Sequence, residues 1–244
     1  DLDGVITKTA LVHGLAWKAM FDEFLQKKAQ EDGPPYKEFT HEKDYLPFVD
    51  GKPRYDGVKS FLESRQINIP FGSKDDDHTE ETVCGLGNRK NIKFREILDS
   101  DGIQVYKSTV DLIYALKEKN IHVGVASSSK NCQYVLQVVD LESQFETRVD
   151  GVVSAEIGLN GKPAPDIFIK AAENMGCEPS RSIVVEDASS GVKAGCNGGF
   201  GLVIGLARED NEDDLKAHGA DIVLKDFEGF GIKEVEEWFC KKNK

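Results

Sequence analysis

The sequence predicts an α/β protein, a parallel-sheet core interrupted early by an all-helical insert, and two observations carry that prediction. From about residue 103 onward, short apolar runs alternate with helical patterns. Such alternation implies parallel strands with helices on both faces. Residues from about 10 to 100 instead carry helical periodicity and polar loops.

In the insert, Leu11, Leu15, Trp17, Phe21 and Leu25 are spaced as the buried stripe of an amphipathic helix. Further helices are expected at 55–65 and 80–98. The loop 72–79, with Lys74, Asp75, Asp76 and Asp77, reads as a solvated surface loop in preference to a Ca²⁺ site. In the core, Ser108 is the expected N-cap of a helix over 109–120, followed by a buried strand over 121–126. A helix over 131–141 and an extended stretch over 149–157 come next. Then follow a helix at 165–175, a strand at 183–185, a short helix at 191–196, a strand at 202–206 and a final helix at 233–241. The boundaries are therefore 1–9 and 102–244 for the core and 10–101 for the helical cap. The chain opens directly at Asp1. A parallel sheet would want an apolar strand leading into that residue, so the first strand is expected to be missing before residue 1.

Composition removes several function classes. The 244 residues are 39% apolar and 30% charged, as in a globular protein. The net charge of -12 argues against nucleic acid, which demands excess Lys and Arg. A local cation cluster can still hold a small phosphorylated substrate. No apolar run approaches the ~18–20 residues that cross a bilayer, and no signal peptide is visible. Cys84, Cys132, Cys177, Cys196 and Cys240 are odd in number, scattered and without CxxC spacing. They read as free thiols in a reducing compartment, which makes the cytoplasm the expectation; separately, the chain is expected to be a monomer.

Four short segments carry chemistry. Asp1-Leu2-Asp3-Gly4-Val5 leaves two carboxylates on one side of an extended segment, and Gly4 lets the backbone turn away. One carboxylate can attack phosphorus while the other moves a proton, although turns and Ca²⁺ loops contain the same string. Ser127-Ser128-Ser129-Lys130-Asn131 follows an expected strand and is either an anion site or a serine-rich N-cap. Gly161-Lys162-Pro163-Ala164-Pro165 stiffens the approach to a helix, and leaves Lys162 as a phosphoryl-neutralising cation or a solvated loop lysine. Glu186-Asp187 ends an apolar strand; a helix cap explains one acid, and a metal site explains both. Each segment lies where a parallel strand delivers it to the carboxyl edge of the sheet, the usual place for ligands. Together they make a phosphoryl-transfer set.

In that order, Asp1–Val5, Ser127, Lys162 and Glu186-Asp187 resemble the four motifs of the haloacid dehalogenase (HAD) superfamily. The segments 1–7, 126–131 and 162–168 resemble most closely its beta-phosphoglucomutase-like branch, and the resemblance covers nearly the whole chain. It implies a Rossmann-like core with a helical cap inserted after the first motif. It implies Asp1 as nucleophile and Asp3 as acid–base. Mg²⁺ would be held by Asp1, the Asp3 carbonyl and Asp187, with Glu186 nearby or ligating, and Ser127 and Lys162 would hold the transferring phosphate. His13, with Thr9 and Trp17, matches the cap hinge, where the histidine couples closure to chemistry. Gly51-Lys52-Pro53-Arg54 resembles the loop whose arginine grips a second phosphate, and Arg89-Lys90-Asn91 a further cap contact through Lys90. Ser128, Ser129, Lys130 and Asn131 would lie along the substrate, the last three facing the non-transferring phosphate.

Two departures stand out: Lys8 replaces an acid, and the cap carries inserted material around 33–35 and 69–77. The expected activity is a sugar 1-phosphate/6-phosphate mutase. A sugar phosphatase is the alternative, and a non-catalytic binding protein on the same fold is the third reading.

Overall fold

Trp17, Met20, Phe21 and Phe24 line one face of the first helix because residues three and four apart share a helical face. That face begins the core of one of two compact units, Thr9–Gly102, in a computed structural model that describes residues 1–32, 35–208 and 210–242. Gly33 and Pro34, part of the inserted material noted above, lie outside the described residues. Here α1 (Thr9–Asp32) is followed by a π-helical turn (His41–Tyr45), α2 (Leu46–Phe48), α3 (Arg54–Ser64) and α4 (Val83–Asp101). Phe21 stacks with Phe39 and meets Phe61, at ring-centroid distances of 5.0 and 4.1 Å. Each such buried ring contributes about 1.5–3 kcal/mol.

Leu11 and Leu15 are 61% and 57% exposed, contrary to expectation. At about 100° per residue, Leu15 projects nearly opposite Trp17, so only Trp17, Phe21 and Leu25 of the expected stripe share the buried side. The loop at 72–79 is a largely exposed loop, as read from its charge.

One polar group is buried in this unit with full compensation. Asp44 accepts from Arg65 Nη2 at 2.8 Å, Arg65 Nε at 3.2 Å and the Thr40 N–H at 2.8 Å. Burial pushes its pKa up, but the Thr40 N–H and the Arg65 guanidinium outweigh burial and hold it below the usual value. A depressed carboxylate stabilises the fold above its unfolded pKa of ~3.9 and loses that contribution as pH falls through the lower folded value. Asp44→Ala is therefore expected to cost about 1–3 kcal/mol at pH 7, because the partly buried Arg65 loses its charge partner and keeps only the Lys37 and Glu38 carbonyls. The deficit should shrink below about pH 4, where the parent loses the same contribution. Thermal melts of both chains from pH 3 to 7 would show it, and a pH-independent deficit would assign the effect to packing.

The second unit comprises Asp1–Lys8 and Ile103–Lys244. Its elements are α5 (Lys107–Glu118), β1 (Gly124–Ala126), α6 (Cys132–Val138), β2 (Thr147–Val149), α7 (Gly151–Ile157), α8 (Asp166–Asn174), β3 (Ile183–Glu186), α9 (Ser189–Asn197), β4 (Leu202–Leu206), α10 (Glu212–Ala217), β5 (Ile222–Leu224) and α11 (Ile232–Lys242). Strands β3, β4 and β5 pair in parallel in that order, and β1 pairs in parallel with β2. All five residues of β4 are buried, as the middle strand of a sheet covered on both faces requires.

Three expectations change here. Residue Ser108 lies inside α5, whose N-cap is Tyr106 and carries no side-chain cap bond. The strand expected from 121 begins at Gly124, with Ile121 40% exposed. The stretch 149–157 is mostly helix α7: the Asp150 carboxylate accepts from the Val152 and Val153 N–H groups, and this cap outweighs the β-preference of two valines. Helix α10 and strand β5 have no counterpart in the sequence reading.

Candidate active site

Four of the predicted residues meet in the second unit. The Asp1 nitrogen donates to the Val185 carbonyl at 2.8 Å, which lays Asp1 alongside the end of β3. Lys162, 4% exposed, places Nζ 2.7 Å from Asp1 Oδ1 and also bonds Glu186 Oε1. Glu186 is fully buried at the end of β3, and its second oxygen accepts from the Asp187 and Ala188 N–H groups, each at 3.2 Å. This carboxylate thus fixes the lysine on one side and the turn into α9 on the other. Gly191 is required there, since a Cβ would overlap Glu186.

Asp187 sits over the first motif. Gly4 has φ +75°, its N–H donates to the Thr7 carbonyl at 2.8 Å, and a Cβ on it would overlap the Asp187 carboxylate. Glycine therefore supplies both the turn and the space. Gly4→Ala is expected to displace Asp187 and to weaken Mn²⁺ binding by about 10–100-fold, the range found when support of a metal ligand is disturbed. Titration of Mn²⁺ followed by electron paramagnetic resonance would read it, and parent-like affinity would count against Asp187 as a ligand.

One oxygen each from Asp1, Glu186 and Asp187 lies within 4.8 Å of the others. Three carboxylates around a single lysine, one of them buried and two partly exposed, leave an excess of negative charge that a further cation would offset. All three donors are hard oxygens, so a divalent cation fits. The Asp3 side chain is outside this carboxylate group. Burial, followed by the charges of Asp3 and Asp150, pushes up the Cys132 thiol, so it stays protonated and is no competing nucleophile.

Ser127 is buried where the chain leaves β1. Its Oγ accepts from the Ser129 N–H at 3.0 Å, and Ser129 Oγ accepts from the Asn131 N–H at 3.1 Å. The serines thus shape successive turns, and Asn131 is the residue at the N-cap of α6. Ser128 and Lys130 belong to the same turn, packed close to Gly151.

The remaining predicted residues lie in the first-described unit. Lys90, 3% exposed, bonds His13 Nδ1 and lies over the rings of Trp17 and Phe94, 5.0 and 4.7 Å from their centroids. His13 stacks on Phe94 at 4.0 Å. Thr9, buried, opens α1, and Gly51 precedes the start of α3 with φ +67°. Arg54 opens α3 and donates to Asn91 Oδ1 at 2.8 Å. Burial lowers its pKa, which an arginine tolerates while staying charged. Arg89 points elsewhere: it donates to the His78 and Thr79 carbonyls at 2.8 and 3.3 Å and faces Glu23. Sequence reasoning passed over Arg208 and Asn211. Their signal was available, since they follow the strand at 202–206, and ligands gather at the carboxyl ends of strands.

Glu186 and Asp187 at the end of β3, with Asp1 beside them and the buried Lys162 from the loop before α8, fit an enzyme of the phosphomutase or phosphatase type. The family model of haloacid dehalogenase-like hydrolases matches residues 1–199, and the chain belongs to that family. It is 46% identical over 229 residues to beta-phosphoglucomutase of Mycobacterium bovis, covering 93% of this chain and 87% of the relative. Against beta-phosphoglucomutase of Bacillus subtilis the identity is 28%, covering 98% and 93%. Its fold is similar to the crystal structure of beta-phosphoglucomutase from Clostridium difficile, with TM-score 0.76, 25% identity and coverage of 99% and 96%.

Proposed function

We propose that the chain interconverts the 1-phosphate and 6-phosphate of a small sugar by Mg²⁺-dependent phosphoryl transfer through Asp1. The observation that carries this reading is Lys162 Nζ at 2.7 Å from Asp1 Oδ1, within a cluster of three carboxylates. The 46% identity to a beta-phosphoglucomutase supports the choice of a mutase.

In the first step an Asp1 carboxylate oxygen attacks phosphorus, and the bond from phosphorus to the leaving oxygen breaks. Asp3 donates its proton to that leaving oxygen. In the second step a sugar hydroxyl attacks the aspartyl-phosphate, Asp3 takes the hydroxyl proton, and Asp1 is released. A phosphorylated enzyme thus turns a sugar 1-phosphate into a bisphosphate, which reorients and returns the other phosphoryl group to Asp1. Lys162 and the Ser127 hydroxyl hold the transferring phosphoryl oxygens. Asp1, Asp187 and the Asp3 carbonyl would hold Mg²⁺, with Glu186 as a nearby or direct ligand, and the bound ion would supply charge neutralisation at those oxygens. Ser129, Lys130 and Asn131, with Arg54 and Lys90, supply the contacts for the non-transferring phosphate, and Ser128, Gly51, Thr9 and Trp17 line the substrate. His13, bonded to Lys90, orients that lysine within its own unit. Among the described residues no helix is long and apolar enough to cross a membrane. All five cysteines are free, which supports a reducing compartment, the cytoplasm.

The test is phosphorus NMR of the protein with Mg²⁺, β-glucose 1-phosphate and a trace of glucose 1,6-bisphosphate. Glucose 6-phosphate appearing faster than free phosphate is the expected result. Free phosphate alone would make the enzyme a phosphatase. No turnover across a panel of sugar phosphates would leave a binding protein.

A further inference from the structure

The geometry points to Arg208 as a positioning residue for phosphoryl transfer, one that holds the turn of the first motif in place under Asp187 by way of the Gly4 carbonyl. This rests on the reading above, in which Asp1 and Asp187 belong to the reacting and metal-holding group. Arg208 lies between β4 and α10, and none of the four motifs includes it.

Three contacts converge on its guanidinium. Nε donates to the Gly4 carbonyl at 2.9 Å, Nη1 donates to the Lys225 carbonyl at 2.6 Å, and the group lies 3.6 Å from the centroid of the Tyr106 ring. Tyr106 in turn donates its N–H to the Ile6 carbonyl at 2.9 Å. The turn has internal bonds, Gly4 to Thr7 and Val5, Ile6 and Thr7 to Leu2, and its two ends are held by Asp1 to Val185, by Lys8 to Gln104 and by a bridge between Thr7 and Val105. These bonds fix the ends of the turn and leave its middle, at the Gly4 carbonyl, to Arg208. Arg208 anchors it to the end of β5 and, through Tyr106, to the segment that leads into α5.

The same segment reaches the other half of the acid cluster. Asn211 Nδ2 donates to the Asp187 carbonyl at 3.3 Å. The stretch between β4 and α10 therefore touches both residues whose spacing matters, Gly4 on the first motif and Asp187 on the last. Arg208 Nη2 is buried and without a hydrogen-bond partner among the described residues. A buried, unsatisfied donor is unfavourable, so stability alone does not account for the placement. The charge of Asp187 is among those that oppose the effect of burial on the guanidinium, as a neighbour would.

The test compares the parent with Arg208→Met and Arg208→Lys. Three quantities are read: the Mn²⁺ dissociation constant of the free protein, kcat and KM for the sugar phosphate, and the melting temperature. Arg208→Met is expected to weaken Mn²⁺ binding about tenfold or more and to lower kcat with KM little changed. Arg208→Lys keeps the charge but cannot bond Gly4 and Lys225 and stack on Tyr106 together, so it should fall between. A lower melting temperature with parent-like Mn²⁺ affinity and kcat would reduce Arg208 to a structural residue and overturn the proposal. If Arg208→Met does not fold, Arg208→Lys decides, and parent-like Mn²⁺ affinity in it overturns the proposal. The Mn²⁺ arm uses no substrate, so it still decides if the parent turns over no sugar phosphate and the functional reading fails.

Discussion

Asp1→Asn is expected to leave a folded protein that releases no product, with kcat lower by on the order of 10⁴ or more. The fold should survive because an amide oxygen still accepts from Lys162, and Glu186 remains as the charged partner of that lysine. Chemistry should not survive, because an amide is too poor a nucleophile to form the phosphorylated intermediate. Rapid acid quench with radiolabelled glucose 1,6-bisphosphate would trap that intermediate as hydroxylamine-sensitive label on the parent. Equal labelling of Asp1→Asn would place the nucleophile on another residue.

Lys162→Met is expected to separate metal binding from turnover. Its ammonium is the cation between Asp1 and Glu186, both of which are almost wholly buried at the carboxylate. Without it, the developing charge on the phosphoryl oxygens loses a preorganised partner, and kcat should fall by about 10²–10³. The carboxylate cluster becomes more negative, so Mn²⁺ should bind more tightly than to the parent. In metal-free buffer the variant should lose about 3–5 kcal/mol, since two buried carboxylates are left without their counter-ion. Saturating metal should return much of this, about 2.7 kcal/mol at a hundredfold excess over Kd. Weaker Mn²⁺ binding, or an unchanged kcat, would show that the lysine does not act on the reacting group.

The candidate site was more legible than the secondary structure around it. Glu186 and Asp187 could be named because adjacent acids ending an apolar run are hard to satisfy by local structure alone, and Asp1 and Lys162 because the four segments together make a phosphoryl-transfer set that resembles one family. Errors arose where a local signal competed with another local signal. The two valines after Asp150 argued for a strand, while the carboxylate of Asp150 argued for a helix, and the cap won. The serine at 108 was a suitable cap residue whose neighbours in α5 left it two residues too late. Leu11 and Leu15 are apolar and correctly spaced with each other, but the face they share is not the one that carries Trp17 and Phe21.

What the sequence by itself determined is the class of chemistry and the layered fold, because strand–helix alternation and the types of residue at strand ends are properties of short segments. Only the tertiary structure decided which partners those residues have. Lys162 joins Asp1 across 161 residues of chain, and Arg208 joins Gly4 across 204. Residues Arg89 and Lys90 are adjacent in sequence but turn to different neighbours, one to the His78–Thr79 backbone and the other to His13 and Trp17. Each of those pairings depends on how helices and strands pack. Successive side chains on a helix diverge by about 100°, so local pattern cannot say which neighbour each will meet.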